Sequence, residues 1–151
     1  MIRNAFTMIE LVFVIIILGI LAAVAILRLQ ATRDDAQNVV IAQNIMTAAG
    51  EIASYAVAMG ETNESLSVMS NGIKELVSQG KASLNTAEKV AYVHRGSVDD
   101  CVIIDVNSSS LDENLTLSYG SAGGDTLCLG LQKVVDISRY PMQIRGVIVE
   151  H

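Results

Sequence analysis

The sequence predicts an α+β fold, a long N-terminal helix packed on a small C-terminal antiparallel sheet. Three observations predict it. An apolar run from Leu11 to Leu27 has no charged or hydrogen-bonding side chain. A helical stripe continues past Arg28 with no proline and no glycine until Gly50. The last third carries short alternating or apolar runs separated by turn residues. A chain of 151 residues suits one domain with a single modest core.

The apolar run explains much of the mean hydropathy of +0.44. Its 17 residues span roughly 26 Å as a helix, close to the ~30 Å of a bilayer's hydrocarbon core. Glu10 is the only charge between Arg3 and Arg28. A cleaved secretory signal is the competing reading, and Ala22-Ala23-Val24-Ala25 offers a small-residue end. The run is longer than the ~7–15 apolar residues of such signals, however, and the helical pattern passes straight through that end. A retained membrane anchor is the expectation. Arg3 favours a cytoplasmic N-terminus, while Arg28 and Arg33 flank the other end and leave the orientation open.

Beyond Arg28, apolar or small residues recur at Ala42, Ile45, Met46, Ala49, Ile52, Ala53, Ala56 and Val57, the spacing of one helical face. Gln43, Asn44, Thr47, Glu51 and Ser54 occupy the other face. Gly60 is the expected stop. One helix from about Phe6 to Met59 would be roughly 80 Å long, with a stripe in its second half that needs a partner. Residues 66–80 read as a short helix, weakened by Gly72 and ended by Gly80. Residues 81–100 are ambiguous, with a strand at Val90–His94. About four strands are expected, at Cys101–Val106, Leu115–Tyr119, Leu127–Leu131 and Gln143–Val149. A sheet over about 101–149 would then cover the helix stripe.

Ala5-Phe6-Thr7-Met8-Ile9-Glu10-Leu11, followed by Ile17-Leu18-Gly19-Ile20-Leu21-Ala22-Ala23-Val24-Ala25-Ile26, resembles the N-terminus of type IV pilins and type II secretion pseudopilins. A short basic leader, a Phe at the junction, a Glu four residues later and an apolar run occur together. The match covers about the first 30 residues, and residues 60–151 do not identify a subfamily. The resemblance implies residues 1–5 as leader, 6–28 as membrane and filament-core helix, and 29–151 as an exported pilin-like domain. It implies that a prepilin peptidase cuts between Ala5 and Phe6 and that the new Phe6 amine is N-methylated. It also implies a single-pass inner-membrane protein with its C-terminal domain in the periplasm. Its partners would be an assembly platform, the lipid bilayer and identical or related pilin subunits. The function implied is that of a structural subunit of a type IV pilus, a type II secretion pseudopilus or a competence pseudopilus. The alternative is a membrane-anchored periplasmic binding protein that never polymerises. Ala5 departs from the glycine usual before the junction, and Leu27 takes the place of a common proline. Without that proline the helix should run unbroken through residues 20–35.

Glu10 then acquires a purpose. A carboxylate in hydrocarbon costs at least a few kcal/mol, and near a helix N-terminus it gains modestly from the helix dipole. The resemblance implies that it pairs with the Phe6 amine of a neighbouring subunit during assembly. Read alone, Glu10 would simply reach the lipid headgroups.

Cys101 and Cys128 both follow the apolar segment, on the side that an exported domain places in an oxidising compartment. By strand alternation Cys101 faces away from Val102, Ile104 and Val106, and Cys128 away from Leu127, Leu129 and Leu131, so the two meet across one sheet face. A bridge and two buried thiols remain the alternatives. The family often carries a disulfide in this region.

No catalytic triad order, phosphate loop or metal-spaced cluster is visible, so no enzyme, resident metal or other cofactor is expected. Asp99-Asp100 and Gly123-Gly124-Asp125 faintly suggest calcium, but read equally as a solvated pair and a turn. The formal charge of −6 becomes −7 once Arg3 is removed, with 9 basic against 16 acidic residues. That balance argues against direct nucleic-acid binding. Asn63, Asn107 and Asn114 each begin an Asn-x-Ser/Thr acceptor, and each has an acid two residues earlier: Glu61, Asp105 and Asp112. This resembles the stricter acceptor of some bacterial N-glycosylation systems, although such residues also cluster in turns. All three are expected in or beside loops.

In cells carrying the peptidase, the mature chain should begin at N-methyl-Phe6. N-terminal mass spectrometry that finds Met1 intact, or a cut after Ala25, would sink this expectation.

Overall fold

The computed structural model describes residues 7–62, 65–108 and 113–145. The chain divides into two units, Met1–Ala36 and Gln37–His151. Helix α1, Met8–Met59, contributes to both and is unbroken through residues 20–35. Its early part is apolar on every side, and it contains an 18-residue window of mean hydropathy 3.1 with none of its residues buried. The large side chains from Met8 to Leu29 all stand exposed. Each is worth ~1.5–3 kcal/mol when buried, so leaving them all in water would cost tens of kcal/mol. The segment is long and apolar enough to cross a membrane, and nothing in its own unit covers it.

In the second unit α1 buries one stripe: Ile41, Ala42, Ile45, Ala48, Ala49, Ile52 and Ala56. The expected stripe is largely confirmed, with Met46 and Ala53 packed at its margin. Val57 is the exception, at 78% exposed. It lies ~100° round the helix from Ala56 and falls outside the covered arc. Gly60, with φ 71°, follows the last turn, and its N–H bonds to the Ala56 carbonyl at 2.9 Å.

Two short helices, α2 (Leu66–Met69) and α3 (Asn71–Ser78), replace the single helix expected over 66–80. The break falls at Ser70, whose extended backbone lets its hydroxyl accept from the Ile73 N–H at 3.1 Å. Gly72 sits at a close approach between α3 and α1. A Cβ at that position would lie 3.1 Å from the Ala48 Cβ and 3.2 Å from the Asn44 carbonyl oxygen. The pair of small residues allows α3 to lie close against α1.

Among the described residues five strands form an antiparallel meander in chain order: β1 (Ala82–Leu84), β2 (Val90–Arg95), β3 (Val98–Ser108), β4 (Glu113–Tyr119) and β5 (Met142–Arg145). β2 falls where the strand at Val90–His94 is expected, and β1 is a strand that the sequence does not announce. The remainder of the strand expected to Val149 lies outside the described residues. The pleat sends Ala91, Val93, Val102, Ile104, Val106, Leu115 and Leu117 to one face, and these share one core with the α1 stripe. Leu127–Leu131 is not a strand. Residues Thr126–Val134 form helix α4.

Glu51 of α1 holds the start of α3. Its Oε2 accepts from the Ser70 hydroxyl at 2.7 Å and the Gly72 N–H at 2.9 Å. The Gly72 N–H first, and then the Ser70 hydroxyl, hold its carboxyl below the usual 4.5. A lowered folded pKa contributes stability that is present above 4.5 and is lost as pH falls through the folded value. Glu51→Ala should therefore lower stability near neutral pH, with the gap from wild type closing in acid. Denaturation of the purified chain in detergent would measure it. A gap that stays constant from pH 7 to pH 3 would remove Glu51 from this role.

Candidate assembly helix and the disulfide-closed loop

Glu10 sits where a helix needs an acid. The first N–H groups of a helix have no partner inside it, and Thr7 and Glu10 satisfy two of them reciprocally. The Thr7 N–H donates to Glu10 Oε2 at 2.8 Å, and the Glu10 N–H donates to Thr7 Oγ1 at 3.4 Å. The Thr7 hydroxyl also donates to Glu10 Oε2 at 2.6 Å. This is a capping box, and its signature, a Thr with a Glu three residues on and an apolar run behind it, was legible in the sequence. Sequence reasoning assigned Glu10 to assembly and passed over the local cap. Ala5 and Phe6, the residues of the expected cleavage, lie outside the described residues.

The second candidate region joins α4 to the sheet. Cys101 and Cys128 are bonded. The pairing is as expected, but the geometry behind the expectation is corrected, because the bridge runs from strand β3 to helix α4 and not between two strands. The leucines that suggested alternation follow helical spacing instead: Cys128, Leu131 and Val135 are buried while Leu129 is exposed. Alternation also lapses at Cys101, which is fully buried beside Val102, next to the irregular register between Val93 and Arg95. The chain-entropy account gives such a loop about 3–4 kcal/mol of stabilisation.

The missed signal was Asp125. It caps α4, its Oδ1 accepting from the Leu127 N–H at 2.9 Å and the Cys128 N–H at 3.0 Å. Its other oxygen reaches the β2–β3 turn, accepting from the Ser97 N–H at 3.0 Å and the Ser97 hydroxyl at 2.8 Å. Gln132 completes the attachment by donating to the carbonyls of Cys101 at 2.9 Å and Gly120 at 3.1 Å. Tyr119 donates its hydroxyl to the Val135 carbonyl at 2.6 Å. Gly130, in the middle of α4, faces Asn38 of α1, whose Nδ2 would stand 2.6 Å from an added Cβ. Asn38 is buried and accepts from Arg95 Nε at 2.6 Å. A glycine there forgoes ~1 kcal/mol of helix propensity in exchange for that close approach.

Asp125 belonged to one of the fragments that suggested calcium, yet both its oxygens are committed to protein donors. Asp99 and Asp100 are exposed, with Asp99 3.6 Å from His94 Nδ1. Among the described residues no three His, Cys, Asp or Glu side chains gather to hold a metal. Asn107 and Asn114 lie beside the 109–112 connection as expected, but inside strands β3 and β4. Asn63 lies outside the described residues. Comparison with protein-family models, curated proteins and solved structures finds no match.

The Ser97 N–H first, and then the Cys128 N–H, lower the Asp125 carboxyl to about 2 from its ordinary 3.8. Its contribution is complete above 3.8 and disappears as pH falls towards 2. Asp125→Ala should lower the melting temperature at pH 7, and the difference from wild type should shrink as pH approaches 2. A difference equal at both pH values would show that the carboxylate charge does not hold this loop.

Proposed function

We propose that this chain is a structural subunit of a filament of the type IV pilus, type II secretion pseudopilus or competence pseudopilus kind. One observation carries the reading. The Ala5–Leu11 motif, with its acid four residues after Phe6, opens a helix that is apolar on every side and uncovered in its own unit. Such a surface suits a bilayer before assembly and packing among like helices afterwards. The unbroken α1 and the small antiparallel sheet are the architecture such a subunit would have.

In this reading the peptidase releases residues 1–5 and the new Phe6 amine is methylated. The chain waits in the inner membrane as a single-pass protein with residues 29–151 in the periplasm. Glu10 of one subunit then takes the Phe6 amine of the next. Oε2 already accepts from Thr7, and among the described residues nothing bonds to Oε1, so Oε1 would accept the incoming amine. The role is structural rather than catalytic.

A second reading, an anchored periplasmic binding protein that never polymerises, is favoured by one finding. The capping box explains Glu10 with no neighbouring subunit. Substitution separates the two, because glutamine also serves at the N3 position of a capping box but carries no charge. In a cell with complete assembly machinery, Glu10→Gln and Glu10→Ala should both insert in the membrane and both fail to enter sheared filaments. Filaments formed normally by Glu10→Gln, or absent from the wild type, would favour the second reading.

A further inference from the structure

The two acceptor asparagines of the β3–β4 hairpin are register partners, Asn107 opposite Asn114, and Asp105 lies opposite Thr116. The acid two residues before Asn107 thus faces the hydroxyl residue two after Asn114, and the two motifs interlock on one face of the sheet. That face is the outer one, because the intervening Val106 and Leu115 are buried on the other side. The two asparagines differ in their surroundings. Asn107 is exposed, and the last β2–β3 pair among the described residues is Val90 with Asp105, so the ladder is open on one side of it. Asn114 is half-buried and paired on both sides, with Asn107 and with Gln143.

We infer that Asn107 accepts an N-linked glycan from an oligosaccharyl transferase that reads an acid two residues before the asparagine, and that Asn114 carries none on the same molecule. The donor is a lipid-pyrophosphate-linked oligosaccharide. The Asn107 amide nitrogen bonds to the sugar's reducing-end carbon as that carbon's bond to the pyrophosphate oxygen breaks. The lipid pyrophosphate leaves and the amide gives up one proton. Directly opposed residues on one sheet face have Cβ atoms ~4.5–5.5 Å apart, which is narrower than a sugar ring with its hydration. Two glycans at this pair would collide. One glycan at Asn107 projects from the outer face at the open side of the ladder and leaves the core intact.

The inference rests on export of the second unit, because transfer occurs outside the cytoplasm. The experiment is expression of the full chain in a bacterium carrying such a transferase and its lipid-linked donor. An exported acceptor protein in the same cells serves as control. Site-resolved mass spectrometry should find one glycan at Asn107 and bare Asn114, with the glycan at 107 lost in Asn107→Gln and in Asp105→Ala. The Cys101–Cys128 bridge reports export separately. A bridged chain with bare Asn107 beside a glycosylated control overturns this inference and leaves export standing. Glycans on both asparagines of one molecule overturn the exclusion. Free thiols with no glycan overturn the export reading, and the inference with it.

Discussion

The second unit depends on one contact, the buried stripe of α1 against the inner face of the sheet. Neither side is stable alone. Ile41, Ile45 and Ile52 are fully buried or nearly so, and each would lose ~1.5–3 kcal/mol of burial without strands to cover it. A small meander with strands as short as Ala82–Leu84 lacks the area for its own core. The alanines between the isoleucines then set the distance. Ala48 is small enough for Gly72 to approach, and that approach fixes α3, which Glu51 holds at its first turn.

The C-terminal loop is attached by different means. Among the described residues of the loop only Cys128, Leu131 and Val135 are apolar and fully buried, with Ala122, Ile137 and Tyr140 partly buried against the core, and directional bonds do the rest. Asp125 is the pivot, because one carboxylate caps a helix with one oxygen and grips a turn with the other. The disulfide fixes the separation between β3 and α4, and Gln132 fixes the rotation by reaching two carbonyls at once. A loop held this way can vary at exposed positions such as Leu129 without losing its place.

Glu10 answers a local need at the other end of the chain. A helix start leaves N–H groups unpaired, and in an apolar surrounding each such group costs several kcal/mol. Thr7 and Glu10 remove part of that cost by pairing with each other. The pairing uses one carboxylate oxygen, so the cap and an intersubunit ion pair are compatible and need not compete. The same geometry satisfies the helix start within one chain and leaves room for the pairing proposed above.

What the sequence determined by itself was whatever depends on neighbours in the chain. The apolar run, the stripe from Ala42 to Ala56, the stop at Gly60 and the strands around Ile104 and Leu117 follow from periodicity and turn residues. The capping box at Thr7 and Glu10 and the Asp125 cap were equally local, and were legible there although overlooked. Tertiary structure decided the rest. Leu127, Leu129 and Leu131 fit a strand by alternation and a helix by spacing. Only the docking of α4, with Cys128 and Leu131 inward and Leu129 outward, chooses between them. Gly72 and Gly130 look like defects in helices until Ala48 and Asn38 are seen against them. The opposition of Asn107 and Asn114 depends on strand register, which no short stretch of sequence contains. A periodic pattern states which side chains need cover, and only the packed chain supplies the atoms that cover them.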